Sequence, residues 1–182
     1  GASFTKFYLL LNGAGVGRAY DDDLCPVDWA EAPSLLLYLS PTHPDWPKDR
    51  AALHRFGVEF GLLRWGMGPD AFGDIEEADV RAFLAREMVH DLARVPADAL
   101  RHAIADTREG WAKAVEILEA MAFRRERGRT LLLDLSQVRP LGAPIHGMQG
   151  RPASGPLSLL RAFITLRREV IEAARDRDPD GE

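Results

Sequence analysis

The 182-residue sequence contains one cysteine and no long uninterrupted apolar run. With only Cys25, the chain cannot form an internal disulfide, which is typical of proteins of the reducing cytoplasm. The apolar stretch SLLLYLS at residues 34–40 is far shorter than the roughly 18–20 residues of a membrane-spanning helix. The net charge of −5 argues against a general nucleic-acid binder, since such proteins are usually basic. We therefore expect a cytoplasmic protein with neither a membrane nor a nucleic acid as its partner.

The residues of metal sites and of common active sites are also scarce. The five histidines show no metal-ligand spacing: they are His43, His54, His90, His102 and His146. The acidic run DDD at residues 21–23 predicts a solvated turn. Ser154 lies in ASGP rather than in the G-x-S-x-G turn of hydrolases. The glycines at positions 13, 15 and 17 predict a tight turn, because a dinucleotide fingerprint needs a sixth-position glycine where Arg18 stands. Asp106 and Glu109 begin a predicted helix, where capping and the helix dipole explain them. Neither a metal site nor a self-contained catalytic set is predicted.

Hydrophobic patterns predict a helix-rich α/β (α+β) fold. Buried strands are predicted within 34–40 and 130–138, and a short strand at 61–65. Helices are predicted at 48–56, 74–95, 96–105 and 106–128, the second opened by a capping box of Asp74 and Glu77 and the last ended by Gly128. Ser154 is the predicted N-cap of a C-terminal helix.

The stretch GAPIHGMQGRPASGP, residues 142–156, is a glycine-rich loop that ends at a helix start. Glycines let backbone N–H groups approach an anion, and the N-terminus of a helix attracts negative charge. Residues 139–175 carry six arginines against two glutamates, a local charge of +4 in an acidic chain. This pattern favours phosphate or nucleotide binding, and the alternative is an ordinary surface loop beside a solvated helix face.

Three segments together resemble the large subunits of ribonucleotide reductases. DLSQVRPLGAPIHGMQGRPASGPLSLL is similar to their R-x-x-G-x-P-I loop followed by S/T-G-P, and LLLNGAGVGRAYDDD is similar to their G-x-G-V-G turn. DTREGWAKAVEILE resembles the D-S-R-E-G-W segment of the adenosylcobalamin-dependent (class II) members. Roughly a hundred residues, 22–133, separate the turn from the loop. This segment resembles the insert of monomeric cobalamin-dependent reductases. The resemblance implies a fragment of the reductase α/β barrel with a large insert.

The resemblance implies one domain over residues 1–182, in which 1–21 and 134–182 derive from the barrel and 22–133 form the insert. In the family, the loop belongs to an allosteric specificity site that binds a deoxynucleoside triphosphate effector. By position, Arg139 matches an arginine that reaches effector phosphates, and His146 falls where another branch has a second arginine. The other implied effector-binding residues lie in the loop and at the helix start: Gln149, Gly150, Arg151 and Ser154.

The family's radical-bearing and substrate-reducing cysteines match no position here, and Cys25 lies within the insert. The resemblance therefore implies that this chain is inactive alone and that its partner is the remainder of the reductase polypeptide. Adenosylcobalamin is implied as the family's cofactor, with no binding residue identified in this chain. Two alternatives stay open: a stand-alone, non-catalytic nucleotide-binding or regulatory protein of the same ancestry, and an interaction module whose loop binds nothing.

Overall fold

The computed structural model describes residues 27–145 and 152–177. The predicted glycine turn, the acidic run at 21–23 and Cys25 lie outside these residues, as do loop residues 146–151. Among the described residues, helices α1–α4 span Arg50–Glu59, Asp74–Glu87, Arg108–Phe123 and Gly155–Leu166. The helix then widens into π geometry over Arg167–Glu172 and continues as α5, Ala173–Arg177. No helix in the described part is both long and apolar enough to cross a membrane.

In the described part of the chain, three parallel strands form a sheet: β1 (Ser34–Tyr38), β2 (Leu100–Ala103) and β3 (Thr130–Asp134). Their order is β1-β3-β2, so β3 is central although it is the last of the three in sequence. Leu131 lies opposite Leu35 on one side and Leu100 on the other. The predicted strands within 34–40 and 130–138 are confirmed, as is the helix-rich α/β fold class. The parallel arrangement brings the three carboxyl ends of the strands to one edge of the sheet.

The leucines of the sheet form one continuous core with all four long helices. Leu131 to Leu133 are buried in succession, as expected for a central parallel strand covered on both faces. The cluster includes side chains from every long helix: Leu53, Phe56, Val80, Phe83, Leu118, Met121, Leu159 and Phe163. The elements on both sides of residue 133 thus share one core, while the predicted division into barrel-derived and inserted parts remains a prediction.

Two segments adopt a different secondary structure from the one predicted. Residues 96–105, predicted as helix, contain β2, because pairing with β3 supplies its hydrogen bonds, continued by Ile104 N–H to the Asp134 carbonyl at 2.9 Å. Residues 61–65, predicted as a strand, form turns, since Gly61 and Gly66 both have positive φ. In each case a local preference was overridden by backbone geometry or by tertiary pairing.

Helix boundaries also differ from the prediction. α2 ends at Glu87 rather than near Val95, because Val89 N–H turns to donate to the Leu37 carbonyl of β1. The predicted capping box is displaced by one residue: Glu76 Oε2 accepts from Gly73 N–H at 3.1 Å, while Asp74 and Glu77 both bind Arg50. Each change exchanges a local contact for one with a neighbouring element.

α3 ends at Phe123, five residues before the predicted stop at Gly128. Arg125 adopts a left-handed conformation with φ 58°. Arg125 N–H donates to the Ala122 carbonyl and Glu126 N–H to the Met121 carbonyl, both at 3.0 Å. These bonds form a Schellman motif with arginine at the position that glycine usually occupies. A prediction based on glycine therefore placed the end of the helix too late.

Candidate functional site

The segments that follow the three strands meet at the carboxyl edge of the sheet. The Ser136 hydroxyl, after β3, accepts from Ser40 N–H, after β1, at 2.8 Å. Ser136 N–H in turn donates to the Asp134 carboxylate at 2.9 Å. Ligands of open parallel sheets commonly bind at this edge, outside the carboxyl ends of the strands. The segment that follows β3 leads from this edge to the glycine-rich loop at residues 142–156.

Arg139 joins the segment after β3 to the segment after β2. Its Nε donates to Asp106 Oδ2 at 2.6 Å, and its Nη1 donates to the Pro144 carbonyl at 3.3 Å. The two charged side chains are 36% and 29% exposed, so the pair lies at the surface with one side open to solvent. Among the described residues, these contacts use two of the five guanidinium N–H groups. Arg139 is held in place and can still offer donors to an anion.

Asp106 does not cap α3, contrary to the sequence interpretation. The N-cap of α3 is Thr107, whose hydroxyl accepts from Gly110 N–H at 2.9 Å. The Asp106 carboxylate instead faces Arg139 across the carboxyl edge of the sheet. Only the pairing of β2 with β3 brings these residues together, and β2 was predicted as helix. Asp106 was therefore missed as a site residue.

The turn His43-Pro44-Asp45 supports the base of the loop. His43 is 5% exposed, and its Nε2 lies 2.7 Å from the Val138 carbonyl. Its Nδ1 accepts from Asp45 N–H at 3.0 Å, so the ring proton is on Nε2, which donates to Val138. Asp45 Oδ2 then accepts from Leu141 N–H at 2.8 Å. This turn fixes the backbone on both sides of Arg139.

The two arms of the loop are paired at their base. Gly142 N–H donates to the Ala153 carbonyl, and Ala153 N–H donates to the Ala143 carbonyl, each at 2.9 Å. Pro144 and Pro152 form an antiparallel bridge one step further out. The tip beyond this base includes four predicted effector-binding residues that lie outside the described part of the chain: His146, Gln149, Gly150 and Arg151.

Ser154 occupies the predicted N-cap position of α4, but its side chain makes no capping hydrogen bond with the described residues. The described contacts of Arg139 go to Asp106 and Pro144 rather than to Ser154. Ser154 follows Ala153, which pairs with the arm that leaves Arg139. The structure thus places both predicted residues at the base of one loop, on opposite arms.

Two surface cavities lie beside β1. One, of about 490 Å³, is lined by the amino half of β1 and by several arginines, and the other, of about 450 Å³, lies against residues 88–95. Within residues 27–145 and 152–177, no group of three or more histidine, cysteine or acidic side chains could hold a metal ion. Both cavities are of a size typical for small-ligand sites. Adenosylcobalamin thus remains a cofactor implied by the resemblance, with no binding residue identified among those described.

Comparison with known proteins identifies relatives for the central part of the chain. Residues 76–170 match the family model of the insertion domain of B12-dependent ribonucleotide reductase, which is just over half of the sequence. The adenosylcobalamin-dependent ribonucleoside-triphosphate reductase of Lactobacillus leichmannii is 37% identical over 94 residues, covering 50% of this chain and 12% of that protein. The protein of the same name from Levilactobacillus brevis is 31% identical over 108 residues, covering 58% of this chain and 14% of its own length.

A crystal structure of a B-12 dependent (class II) ribonucleotide reductase aligns with 93% of this chain and 20% of its own, at 26% sequence identity and a TM-score of 0.47. The aligned part of this chain corresponds to about an eighth of the length of the curated relatives. The matched family range, 76–170, includes β2, α3, β3, Arg139 and most of the helix that follows the loop. On the strength of the family match, this chain belongs to the B12-dependent (class II) ribonucleotide reductases.

Proposed function

We propose that this chain contributes the effector-binding part of a ribonucleotide reductase, in which a deoxynucleoside triphosphate binds at the glycine-rich loop. The observation that carries the proposal is the position of Arg139. It lies at the carboxyl edge of a parallel sheet, is oriented by Asp106, and stands at the base of a loop next to a helix start. A guanidinium held in this way suits forked hydrogen bonding to phosphate oxygens.

In this proposal, the chain is part of a longer reductase polypeptide, and the remainder of that polypeptide carries out the reduction of ribonucleotides. The relatives are named as adenosylcobalamin-dependent reductases of ribonucleoside triphosphates. We extend that activity to the whole protein, which would supply deoxyribonucleotides for DNA synthesis. Adenosylcobalamin supplies the radical chemistry when bound, and the rest of the polypeptide binds it. The role of this part is to hold the effector at a rigid base, so that the effector's identity can influence which substrate is reduced.

The rigidity of the base explains how a glycine-rich loop could bind with specificity. Binding costs less free energy when the groups that contact the ligand are already ordered. Asp45 and His43 hold the segment 138–141 by hydrogen bonds, and the Gly142–Ala153 pairing holds the arms together. Only the tip of the loop would then need to adapt to the bound nucleotide.

Calorimetric titration of the 182-residue chain with each deoxynucleoside triphosphate tests the proposal. Arg139→Ala is expected to weaken binding about ten- to hundredfold, since a charge-assisted hydrogen bond contributes about 1.5–3 kcal/mol. His146→Ala is expected to have a smaller effect that grows below about pH 6.5, where imidazole gains charge. Arg129→Ala is a matched control, because Arg129 precedes β3 at the opposite edge and also pairs with an acidic side chain, Glu126.

If the wild type binds the nucleotide saturably and Arg139→Ala binds it with the same affinity, Arg139 plays no part in the site. The absence of saturable binding by the wild type would contradict the proposed role of this part of the chain. Equal losses for Arg139→Ala and Arg129→Ala would indicate a general charge effect rather than a site at the loop.

A further inference from the structure

A second positively charged feature is a cavity beside the amino end of β1, whereas the base of the loop lies near the carboxyl end of the strand. The cavity of about 490 Å³ opens beside residues 33–36, in the amino half of this edge strand. Six charged side chains line it: Arg86, Glu87, Arg167, Arg168, Glu172 and Arg175. Four arginines against two glutamates give a formal charge of +2, in a chain whose net charge is −5. We call this cavity the arginine pocket.

Two of its arginines have structural roles. Arg167 is 13% exposed and donates to the carbonyls of Leu35 and Glu87 at 3.0 and 2.9 Å. Arg175 Nη2 donates to the Ala32 carbonyl at 2.6 Å. The bonds to Leu35 and Ala32 satisfy backbone carbonyls in and just before β1, an edge strand of the described sheet. These carbonyls would otherwise need water or another strand as a partner. The positions of these two arginines are therefore explained by the hydrogen bonds that they donate along the edge of β1.

The acidic side chains do not balance the charge of the pocket. Glu87 is 8% exposed and is approached by three guanidinium groups, with N–O distances of 2.5 Å to Arg167, 3.2 Å to Arg86 and 4.0 Å to Arg168. Burial by itself raises the pKa of Glu87, but hydrogen bonds from Arg167 and Arg86 and the nearby positive charges bring it below its usual value. One ionised carboxylate is therefore shared by three cations.

Arg175 lies in surroundings that are short of negative charge. Its Nε is buried without a hydrogen-bond partner among the described residues. Burial, followed by the positive charge of Arg127, lowers the pKa of its guanidinium, and Glu172 and Glu31 only partly oppose this shift. A buried N–H donor without an acceptor costs free energy. A negative charge in the pocket, which Arg175 lines, would offset the positive excess around its guanidinium.

The remaining two arginines are placed to receive an anion from solvent. Arg86 and Arg168 are 63% and 54% exposed, and structural support of β1 does not account for them. Arg86 is steadied by the Phe83 ring, 5.5 Å from its guanidinium carbon. Arg168 lies in the π-helical turn Arg167–Glu172, a geometry that is often found at functional sites.

We propose that the arginine pocket binds a phosphate-bearing anion, in addition to any ligand of the glycine-rich loop. Guanidinium groups suit the tetrahedral, multiply charged phosphate because they offer paired donors in a plane. Pro33, Leu36 and Ile171 supply an apolar wall against which the organic part of such a ligand can pack. The volume of the pocket exceeds that of a single phosphate and lies in the range of small-molecule sites.

The test is calorimetric titration of the 182-residue chain with inorganic phosphate, pyrophosphate and a deoxynucleoside triphosphate, each in an Arg139→Ala background that removes the loop arginine. We expect saturable binding of pyrophosphate, and a loss of about tenfold or more in the variant Arg86→Gln/Arg168→Gln. Arg81→Gln is the matched control: Arg81 lies on α2 like Arg86, is 56% exposed, and pairs with Glu77 outside the pocket.

The three ligands separate the possible sources of the phosphate. Tighter binding of the nucleotide than of pyrophosphate would identify a nucleotide as the ligand, and equal binding would identify the phosphate groups alone. Both exchanged arginines are more than half exposed, so the double variant is expected to fold, and an unchanged circular dichroism spectrum checks this. Absence of saturable binding in the Arg139→Ala background, or binding equally weakened by Arg81→Gln, would overturn the proposal.

Discussion

Gly155 lies where the returning arm of the loop enters α4 and meets the Asp45 carboxylate. Its φ is +74°, a conformation that L-residues rarely adopt. A Cβ atom at this position would lie 2.7 Å from Asp45 Oδ2 and 2.9 Å from Leu141 N, the two atoms that hydrogen-bond at the base of the loop. The absence of a side chain here lets the carboxylate approach both arms at once.

We expect Gly155→Ala to lower the free energy of unfolding by about 2–4 kcal/mol, because a left-handed conformation and a crowded contact both become unfavourable. Urea denaturation measures the change. Gly128→Ala is the control, since a Cβ atom added at Gly128 would have no described atom within 4 Å and the residue has no positive φ; its effect should stay within about 0.5 kcal/mol. Similar losses in the two variants would rule out the special role of Gly155.

At this scale the sequence revealed part of the candidate site. Arg139 could be named because the segment around it resembles the family's R-x-x-G-x-P-I loop and begins an arginine-rich stretch of the sequence. Asp106, His43 and Asp45 could not, because they approach the loop from segments 33 to 96 positions away. Their hydrogen bonds depend on which strands are neighbours, and local pattern does not contain that information.

Among the elements, α3 shows how a helix can end without the residue that usually ends one. Arg125 takes the left-handed position of a Schellman motif, with the two hydrogen bonds from Arg125 and Glu126 in place. A non-glycine residue is strained in this conformation. The position is therefore open to improvement by a residue without a Cβ atom.

We expect Arg125→Gly to raise the free energy of unfolding by about 0.5–1 kcal/mol, because relief of backbone strain exceeds the added entropy of the unfolded chain. Arg125→Ala is the control, since it removes the same side chain and keeps the Cβ atom. Chemical denaturation of the three proteins gives the comparison. A gain in both variants would mean that the arginine side chain, rather than its backbone conformation, is unfavourable.

The elements that were predicted correctly are those in which the spacing of apolar residues along the sequence reflects the burial of the element itself. β1 and β3 are leucine-rich and buried, and α3 and α4 have apolar faces in the shared core. The prediction was wrong for β2 because Leu100 and Arg101 are exposed and the strand lies at an edge of the described sheet. It therefore has little of the apolar pattern of a buried strand. It is a strand because β3 offers hydrogen bonds, which is a tertiary cause.

Across the described molecule, the shared core joins α1 and α2 to α4 through the sheet. We therefore expect one cooperative thermal transition, reported alike by far-ultraviolet circular dichroism and by tryptophan fluorescence. Trp29, Trp46 and Trp111 lie partly buried against the core, so their emission follows its loss. Two well-resolved transitions would count against a single core shared by residues 22–133 and the elements that follow.

The position of β3 in the middle of the sheet has a consequence for biosynthesis. Ser34 pairs with Thr130, and the Ser40–Ser136 hydrogen bond spans 96 positions. During translation β1 and β2 emerge before β3, and among the described residues their only strand neighbour is β3, so this sheet cannot pair until residue 134 has been made. The leucines of β1 must wait for β3, whose first residue pairs with Ser34 from 96 positions further along the chain. Distant pairings of this kind slow folding and expose nascent chains to aggregation. The strand that leads to the loop is thus also the strand whose arrival allows the sheet to form.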